Sequence, residues 1–239
     1  MIRVAAVGDV HVGIDSGDAA RHLFDGVDAA ADVLLVAGDL TRIGDASEAD
    51  LVAAAVERAG VPVVAVLGNH DFHSDAAPKV QASLEAAGAT VLEGDSAEIE
   101  LADGSIGIAG AKGFGGGFSG ASGSAFGEPE MKAFIRHTES VAERLRASLA
   151  ELRTDVRVAL LHYSPVKDTL VGERLEIFPF LGSYLLGEAI DDAGADLAVH
   201  GHAHGGIEKG VTPGGIHVRN VALPVIRAPY SVYCFDGHR

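Results

Sequence analysis

Five short stretches of the 239-residue chain set aspartate, asparagine or histidine at the ends of apolar runs, most of them beside glycine. AVGDVHVG carries Asp9 and His11, and VAGDLT carries Asp39. VLGNHD carries Asn69, His70 and Asp71, and LLHYSP carries His162. LAVHGHAHGG carries His200, His202 and His204, two apart, and alternate residues of an extended chain face the same way. Any one stretch reads as an ordinary turn, because Gly, Asn and Asp are common turn residues. Five together call for a common reason. Carboxylates, imidazoles and a carboxamide oxygen are ligands of divalent cations. None of the five stretches contains cysteine, so thiolate sites are excluded and Mn, Fe or Zn suits the set. Two such ions about 3.5–4 Å apart clamp a phosphoryl centre from both sides. The pair needs a bridging carboxylate, and Asp39, with two oxygens, suits that place. Glycines before Asp39, Asn69 and His202 let the backbone turn sharply and approach closely.

These residues need elements to bring them together. IRVAAV (2–7), DVLLVAG (32–38) and VPVVAVLG (61–68) are apolar runs without alternation, which predicts strands buried on both faces. AARHLFDGVDAAAD (19–32), EADLVAAAVERAG (48–60) and PKVQASLEAAG (78–88) have helical spacing. Strands alternating with helices imply βαβ units and a mostly parallel sheet. Further along, AEIELADGSIGIAGAKG alternates and turns at Asp103-Gly104, a hairpin signal. Residues 113–128 are too glycine-rich for regular structure and read as a mobile loop. A long helix is expected over 128–153, a strand at VRVALLH, a loop over 163–183, a helix at SYLLGEAIDDAG and a strand at ADLAVHG. The remainder reads as two or three antiparallel strands, with Cys234 a small core residue of the last one. The polar stretches follow strands, and in open α/β sheets the loops beyond the carboxyl ends of strands form the binding crevice.

Composition narrows the partners. The formal net charge is −16, which repels nucleic-acid backbones and anionic membranes, so no nucleic-acid polymer and no membrane is expected as partner. No apolar run is long enough to span a bilayer. The start, MIRVAAVGDV, reads as a first strand rather than a signal peptide. One cysteine forms no internal disulfide, and together these features point to the cytoplasm. Glycines 115–117 lack the strand-to-helix setting and the Lys-Ser/Thr ending of a phosphate-binding P-loop.

The ordered series GDVH, GDLT, GNHD, H and GHAH resembles the calcineurin-like metallophosphoesterase family, with motifs from Asp9 to His204. The resemblance implies a four-layer α/β/β/α sandwich with mixed sheets, a single domain over 1–239 with insertion loops near 113–128 and 163–183, and a dinuclear metal centre. Position by position, it assigns Asp9, His11 and His204 to a first ion and Asn69, His162 and His202 to a second, with Asp39 bridging. His70 would bind no metal but lie near the leaving group as general acid or transition-state stabiliser, with Asp71 orienting it. A hydroxide bridging the two ions would attack phosphorus in line. His200, outside the motif, is expected to be a core histidine with a backbone partner. His22, His73, His137, His217 and His238 receive the same unexceptional reading, with His73 the first candidate for an exception. Arg42 stands where many relatives carry an acidic residue, and a solvated arginine is favoured over an anion contact.

The expected activity is a metal-dependent phosphodiesterase acting on a small nucleotide-like or other compact diester. The alternatives are a phosphomonoesterase of the same fold, a non-enzymatic interaction scaffold, disfavoured because every ligand position is filled, and a metallohydrolase acting on a carbon centre, disfavoured by GNHD after the third strand. Phe114, Phe118 and Phe126 of the first loop are candidates to stack on a base or close as a lid. Tyr163, Phe178 and Phe180 of the second loop, with Tyr184 just beyond it, are equally suited to a pocket or to a dimer contact or local hydrophobic cluster.

Overall fold

A computed structural model describes residues 1–236. In chain order the strands are β1 (Ile2–Val7), β2 (Val33–Ala37), β3 (Val63–Val66), β4 (Thr90–Val91), β5 (Asp95–Leu101), β6 (Gly104–Ala111), β7 (Gly117–Phe118), β8 (Ala121–Ser122), β9 (Val156–Leu161), β10 (Leu197–His200), β11 (Lys209–Val211), β12 (His217–Asn220) and β13 (Ser231–Phe235). The α-helices are α1 (Val27–Ala30), α2 (Ala46–Val56), α3 (Ala77–Ala86), α4 (Pro129–Glu151), α5 (Phe178–Leu181), α6 (Tyr184–Ala193) and α7 (Leu223–Ile226). One sheet has the order β13-β1-β2-β3-β4 and the other β11-β12-β10-β9-β6-β5. Within each, the central strands run parallel: β1 with β2 and β3, and β6 with β9, β10 and β12. Antiparallel β13, β5 and β11 lie at the edges.

The uninterrupted apolar runs explain the layering. Successive strand residues point to opposite faces. One set, including Val4, Leu35, Val64, Ile108, Val158, Leu160 and Val199, meets between the two sheets. The other set from the first sheet, including Val7, Leu34 and Val36, packs on Phe24, Val52, Val80 and Leu84. From the second sheet, Ala109, Ala159 and Leu161 pack on Val141, Leu145 and Leu149 of α4 and on Leu186 and Ile190 of α6. Helices thus cover the outer face of each sheet, the four-layer α/β/β/α sandwich the motif series implies. Among the described residues no helix is long and apolar enough to cross a membrane.

Four expectations need correction. The helix over 19–32 is a 3-10 turn over Ile14–His22 and the single turn α1, separated at Gly26, whose φ of 79° is left-handed. The stretch 113–128 is not wholly irregular: β7 and β8 form a short antiparallel ladder, Gly117 opposite Ser122 and Phe118 opposite Ala121. The C-terminal strands do not form one antiparallel group. β12 runs parallel to β10, whereas β13 crosses to the other sheet and pairs with β1. Because β13 is an edge strand with alternate residues outward, Cys234 is exposed rather than a core residue. His238 lies outside the described residues.

Leu160 is fully buried in the layer between the sheets. Leu160→Ala is expected to lower unfolding stability by about 2–5 kcal/mol in a urea titration. A loss below about 1 kcal/mol would show that this layer can collapse around the cavity or is not tightly packed.

Candidate metal centre

All five polar stretches lie at one edge of the sandwich, because the parallel strands β1, β2, β3, β9 and β10 all point their carboxyl ends there. The loops are then tied to one another. Beyond β1 and β2 the backbones stay paired: the Asp9 amide donates to the Gly38 carbonyl at 2.9 Å and the His11 amide to the Asp39 carbonyl at 3.0 Å. Within the second sheet the Gly201 amide donates to the His162 carbonyl at 3.2 Å. Across the sheets the Gly8 amide donates to the Val221 carbonyl at 2.9 Å. Each buried carboxylate also receives an amide from another loop. Asp9 accepts from the His202 amide at 3.0 Å, and Asp39 Oδ1 accepts from the His70 amide at 2.8 Å.

The backbone there is unusual. Among the described residues six non-glycine positions have positive φ, and four of them are Asp9 (57°), His11 (43°), Asp39 (50°) and His202 (67°). Non-glycine residues avoid this region at a cost of order 1–3 kcal/mol each, and such strain clusters at functional sites. Close approach explains two of the glycines. A Cβ on Gly68 would collide with the Asp39 carboxylate, and one on Gly201 with the Asp9 carboxylate.

Two sets of ligand atoms result, each with its members within 4.8 Å of one another: Asp9, His11, Asp39 and His204, and Asp39, His162 and His202. Asp39 belongs to both. Its Oδ2 lies 3.6 Å from His11 Nε2 and its Oδ1 3.3 Å from His162 Nε2, so its two oxygens face the two sets. His204 Nε2 is 2.8 Å from Asp9 Oδ1. Asn69 Oδ1 joins the second set at 2.9 Å from His162 Nε2.

Hydrogen bonds fix which imidazole nitrogen faces inward. A carbonyl oxygen only accepts, so the nitrogen touching one must carry the proton. His162 Nδ1 donates to the Ala37 carbonyl at 2.9 Å, which leaves the Nε2 lone pair facing Asn69 and Asp39. His202 Nε2 donates to the Phe180 carbonyl at 3.2 Å and leaves Nδ1 as the ligand atom. Lone pairs of His162, Asn69 and Asp39 therefore converge with no proton between them. A cation satisfies such an arrangement. Burial acts in the same sense. It lowers His162 and His202 to about 3 and His11 to about 4, so all three are neutral, the form a metal requires. Burial likewise pushes Asp9 up to about 6, against its hydrogen bond from His204, whose own pKa that bond raises. The residues present fit divalent ions with nitrogen and oxygen ligands.

His70 stands beside the first set without belonging to it. Its ring centre is 4.5 Å from that of His11, edge to face. Nδ1 donates to the Arg42 carbonyl at 2.7 Å, which turns Nε2 outward. Asp71 has a different task from the one expected of it. Its buried carboxylate accepts from the amides of Thr41 and Gly68, both at 2.8 Å, and from the Thr41 hydroxyl at 2.6 Å. It ties the loop after β3 to the loop after β2, and the partner that orients the His70 ring is the Arg42 carbonyl.

The remaining candidates sort by contact. His200 is fully buried, with Nδ1 donating to the Gly201 carbonyl at 2.7 Å and Nε2 accepting from the Thr169 hydroxyl at 2.8 Å. His22 pairs with Asp25 at 2.6 Å, and His137 packs edge to face on Phe114. Arg42 is ion-paired to Asp15 at 2.6 Å rather than simply solvated. Phe114 stacks among Phe134, His137 and Tyr163, and Phe118 is buried against Phe178, so both serve packing. Phe126 and Phe180 stay exposed, and Tyr163 lies with its ring centre 4.3 Å from that of His202. Sequence reasoning missed Lys112, at the end of β6 on the same edge, and Thr41, the hydroxyl that holds Asp71. Lys112 reaches the crevice because β6 runs parallel to β9, a pairing that the sequence does not display.

The calcineurin-like phosphoesterase family model matches residues 2–206. The chain belongs to that family. It is a metal-dependent phosphoesterase. No curated protein matches the sequence. Solved structures match the fold over nearly the whole chain. A phosphopantetheinyl hydrolase from Mycobacterium tuberculosis is 16% identical with a TM-score of 0.67, covering 94% of this chain and 90% of its own. The protein TT1561 of Thermus thermophilus is 14% identical with a TM-score of 0.56, covering 92% and 88%.

Saturating Mn²⁺ is expected to raise the melting temperature of the metal-free protein by about 5 °C or more, since an ion at a hundredfold excess over its Kd stabilises by about 2.7 kcal/mol. Asp39→Asn is expected to lose most of that rise. An equal rise in both proteins would mean that the ions bind elsewhere.

Proposed function

We propose that this phosphoesterase holds two divalent ions, Mn, Fe or Zn, and cleaves a compact phosphodiester in preference to a monoester. The observation that carries the reading is Asp39, whose two oxygens face two separate groups of ligand atoms. Asp9, His11 and His204 would hold one ion and Asn69, His162 and His202 the other, with Asp39 between them. When bound, such ions provide a nucleophilic water at neutral pH and neutralise charge on the phosphoryl oxygens.

The chain's own residues supply the rest. The carbonyls of Ala37 and Phe180 lock the tautomers of His162 and His202, and so keep the ligand lone pairs aimed. His70 presents Nε2 toward the crevice. When protonated it donates there to a phosphoryl oxygen or to the departing alkoxide, while the Arg42 carbonyl fixes the ring plane. Asp71 preserves the spacing between the loops that carry Asp39 and His70. A diester suits this site better than a monoester because its second organic arm can lie on the exposed rings of Phe72 and Phe180 at the rim. The Mycobacterium tuberculosis neighbour is a phosphopantetheinyl hydrolase, which agrees with a small substrate.

The test is the rate on bis-p-nitrophenyl phosphate against p-nitrophenyl phosphate, with Mn²⁺-loaded protein and Asp39→Asn as control. The diester is expected to react faster, with the activity lost in the control. Faster monoester cleavage would assign a phosphatase instead. His70→Ala is expected to lower kcat on the diester about 10²–10⁴-fold while retaining its metal content. Loss of metal in that variant would contradict the separation of His70 from the ligands.

A further inference from the structure

Lys112 is a cation with an uncommon setting. Its ammonium lies over three ring faces, 5.1 Å from the centre of Phe72, 5.0 Å from Phe114 and 5.3 Å from Tyr163. Among the described residues no carboxylate forms an ion pair with it. Glu93, the nearby acid, accepts from the Lys112 backbone amide at 3.2 Å, and its carboxylate faces the Arg144 guanidinium at 3.6 Å. Among the described residues the ammonium makes one hydrogen bond, a long 3.5 Å contact to the Gly113 carbonyl. An ammonium has three donors. Rings draw it by their quadrupole but accept no proton, so its hydrogen-bonding capacity is largely unspent.

Its position gives that capacity a direction. The Lys112 carbonyl accepts the amides of both His162, at 3.1 Å, and Tyr163, at 2.9 Å, so the residue is bonded directly to the metal-ligand loop after β9. Phe72 stands two residues after His70 and is 42% exposed, so this wall of the cage is not closed over. Tyr163, the opposite wall, packs on His202. The ammonium thus lies beside the loops that carry His70 and His162, against the ring two residues beyond the one and the ring next to the other. In a chain of formal net charge −16, an unpaired cation at that place attracts anions that the rest of the surface repels.

We propose that Lys112 binds a second phosphoryl group of the substrate, one that the metal ions do not hold, so that the preferred substrate carries two phosphoryl groups separated by a short link. This rests on the phosphoesterase reading of the metal centre. The rings of Phe72, Phe114 and Tyr163 hold the ammonium in place and partly desolvated, so that its contact to a phosphoryl oxygen is charge-assisted and directional. A role confined to packing predicts that removing the Lys112 charge leaves the preference between one phosphoryl group and two unchanged.

The test is calorimetric titration of the Mn²⁺-loaded full chain with pyrophosphate and with orthophosphate, metal content being measured afterwards. Wild type is expected to favour pyrophosphate, and Lys112→Met to lower the ratio of the two affinities about tenfold, as loss of a charged hydrogen bond implies. Lys112→Arg, which keeps the charge, is expected to recover part of the ratio. Should Lys112→Met lose its metal, Lys112→Gln, also uncharged, carries the same comparison. Orthophosphate binding with no preference for pyrophosphate, or a preference unchanged in the uncharged variant, would overturn the proposal and leave the phosphoesterase reading standing. Binding of neither anion by wild type would overturn both.

Discussion

The centre depends on how the two sheets meet at one hydrogen bond. His162, at the end of β9, donates Nδ1–H to the carbonyl of Ala37, at the end of β2, over 2.9 Å. Both residues are fully buried, so neither group has water as an alternative partner. The bond sets the relative height of the two strand ends. It also selects the tautomer whose Nε2 lone pair faces Asn69 and Asp39. The apolar layer beneath, with Leu35 and Ala37 from one sheet and Val158 and Leu160 from the other, holds the two strands at a distance where the bond can form. Fold and chemistry are therefore not separable here: the packing that makes the sandwich also aims the ligands.

The same economy appears in the loops. The two carboxylates of the ligand sets each do two things. Asp9 and Asp39 face imidazoles and also accept amides from neighbouring loops. A substitution at either would therefore disturb both the ligand set and the loop geometry. Strained backbone at Asp9, His11, Asp39 and His202 is held by these amide bonds and by the continued pairing of the loops after β1 and β2. Asp71 extends the scheme. It belongs to neither ligand set, yet with Thr41 it fixes the distance between the loops that carry Asp39 and His70.

Much of this was legible in the sequence because the ligands are side chains set at strand ends. The apolar runs of β1, β2, β3, β9 and β10 located the strands, and the residues following them located the crevice. Aspartate, asparagine and histidine without cysteine gave the donor chemistry. What was not legible has physical causes. The groups that orient His162, His202 and His70 are the carbonyls of Ala37, Phe180 and Arg42, and a backbone carbonyl has no signature in residue type. The helical spacing over 19–32 was overridden by Gly26 in a left-handed conformation. Cys234 was misplaced because an apolar run alone does not tell an edge strand from a central one. The aromatic residues of 113–128 pointed to a lid, but Phe114 and Phe118 are consumed by contacts with distant parts of the chain. The Lys112 cage is likewise assembled from residues 72, 112, 114 and 163, which only the tertiary fold brings together.

The central claim is that Asp39 stands between two ions. The most direct measurement is an anomalous difference map from a crystal of the Mn²⁺-reconstituted protein. The account predicts two peaks about 3.5–4 Å apart, one beside Asp9, His11 and His204 and one beside Asn69, His162 and His202, with an Asp39 oxygen toward each. A single peak, or two peaks that do not share Asp39, would contradict it.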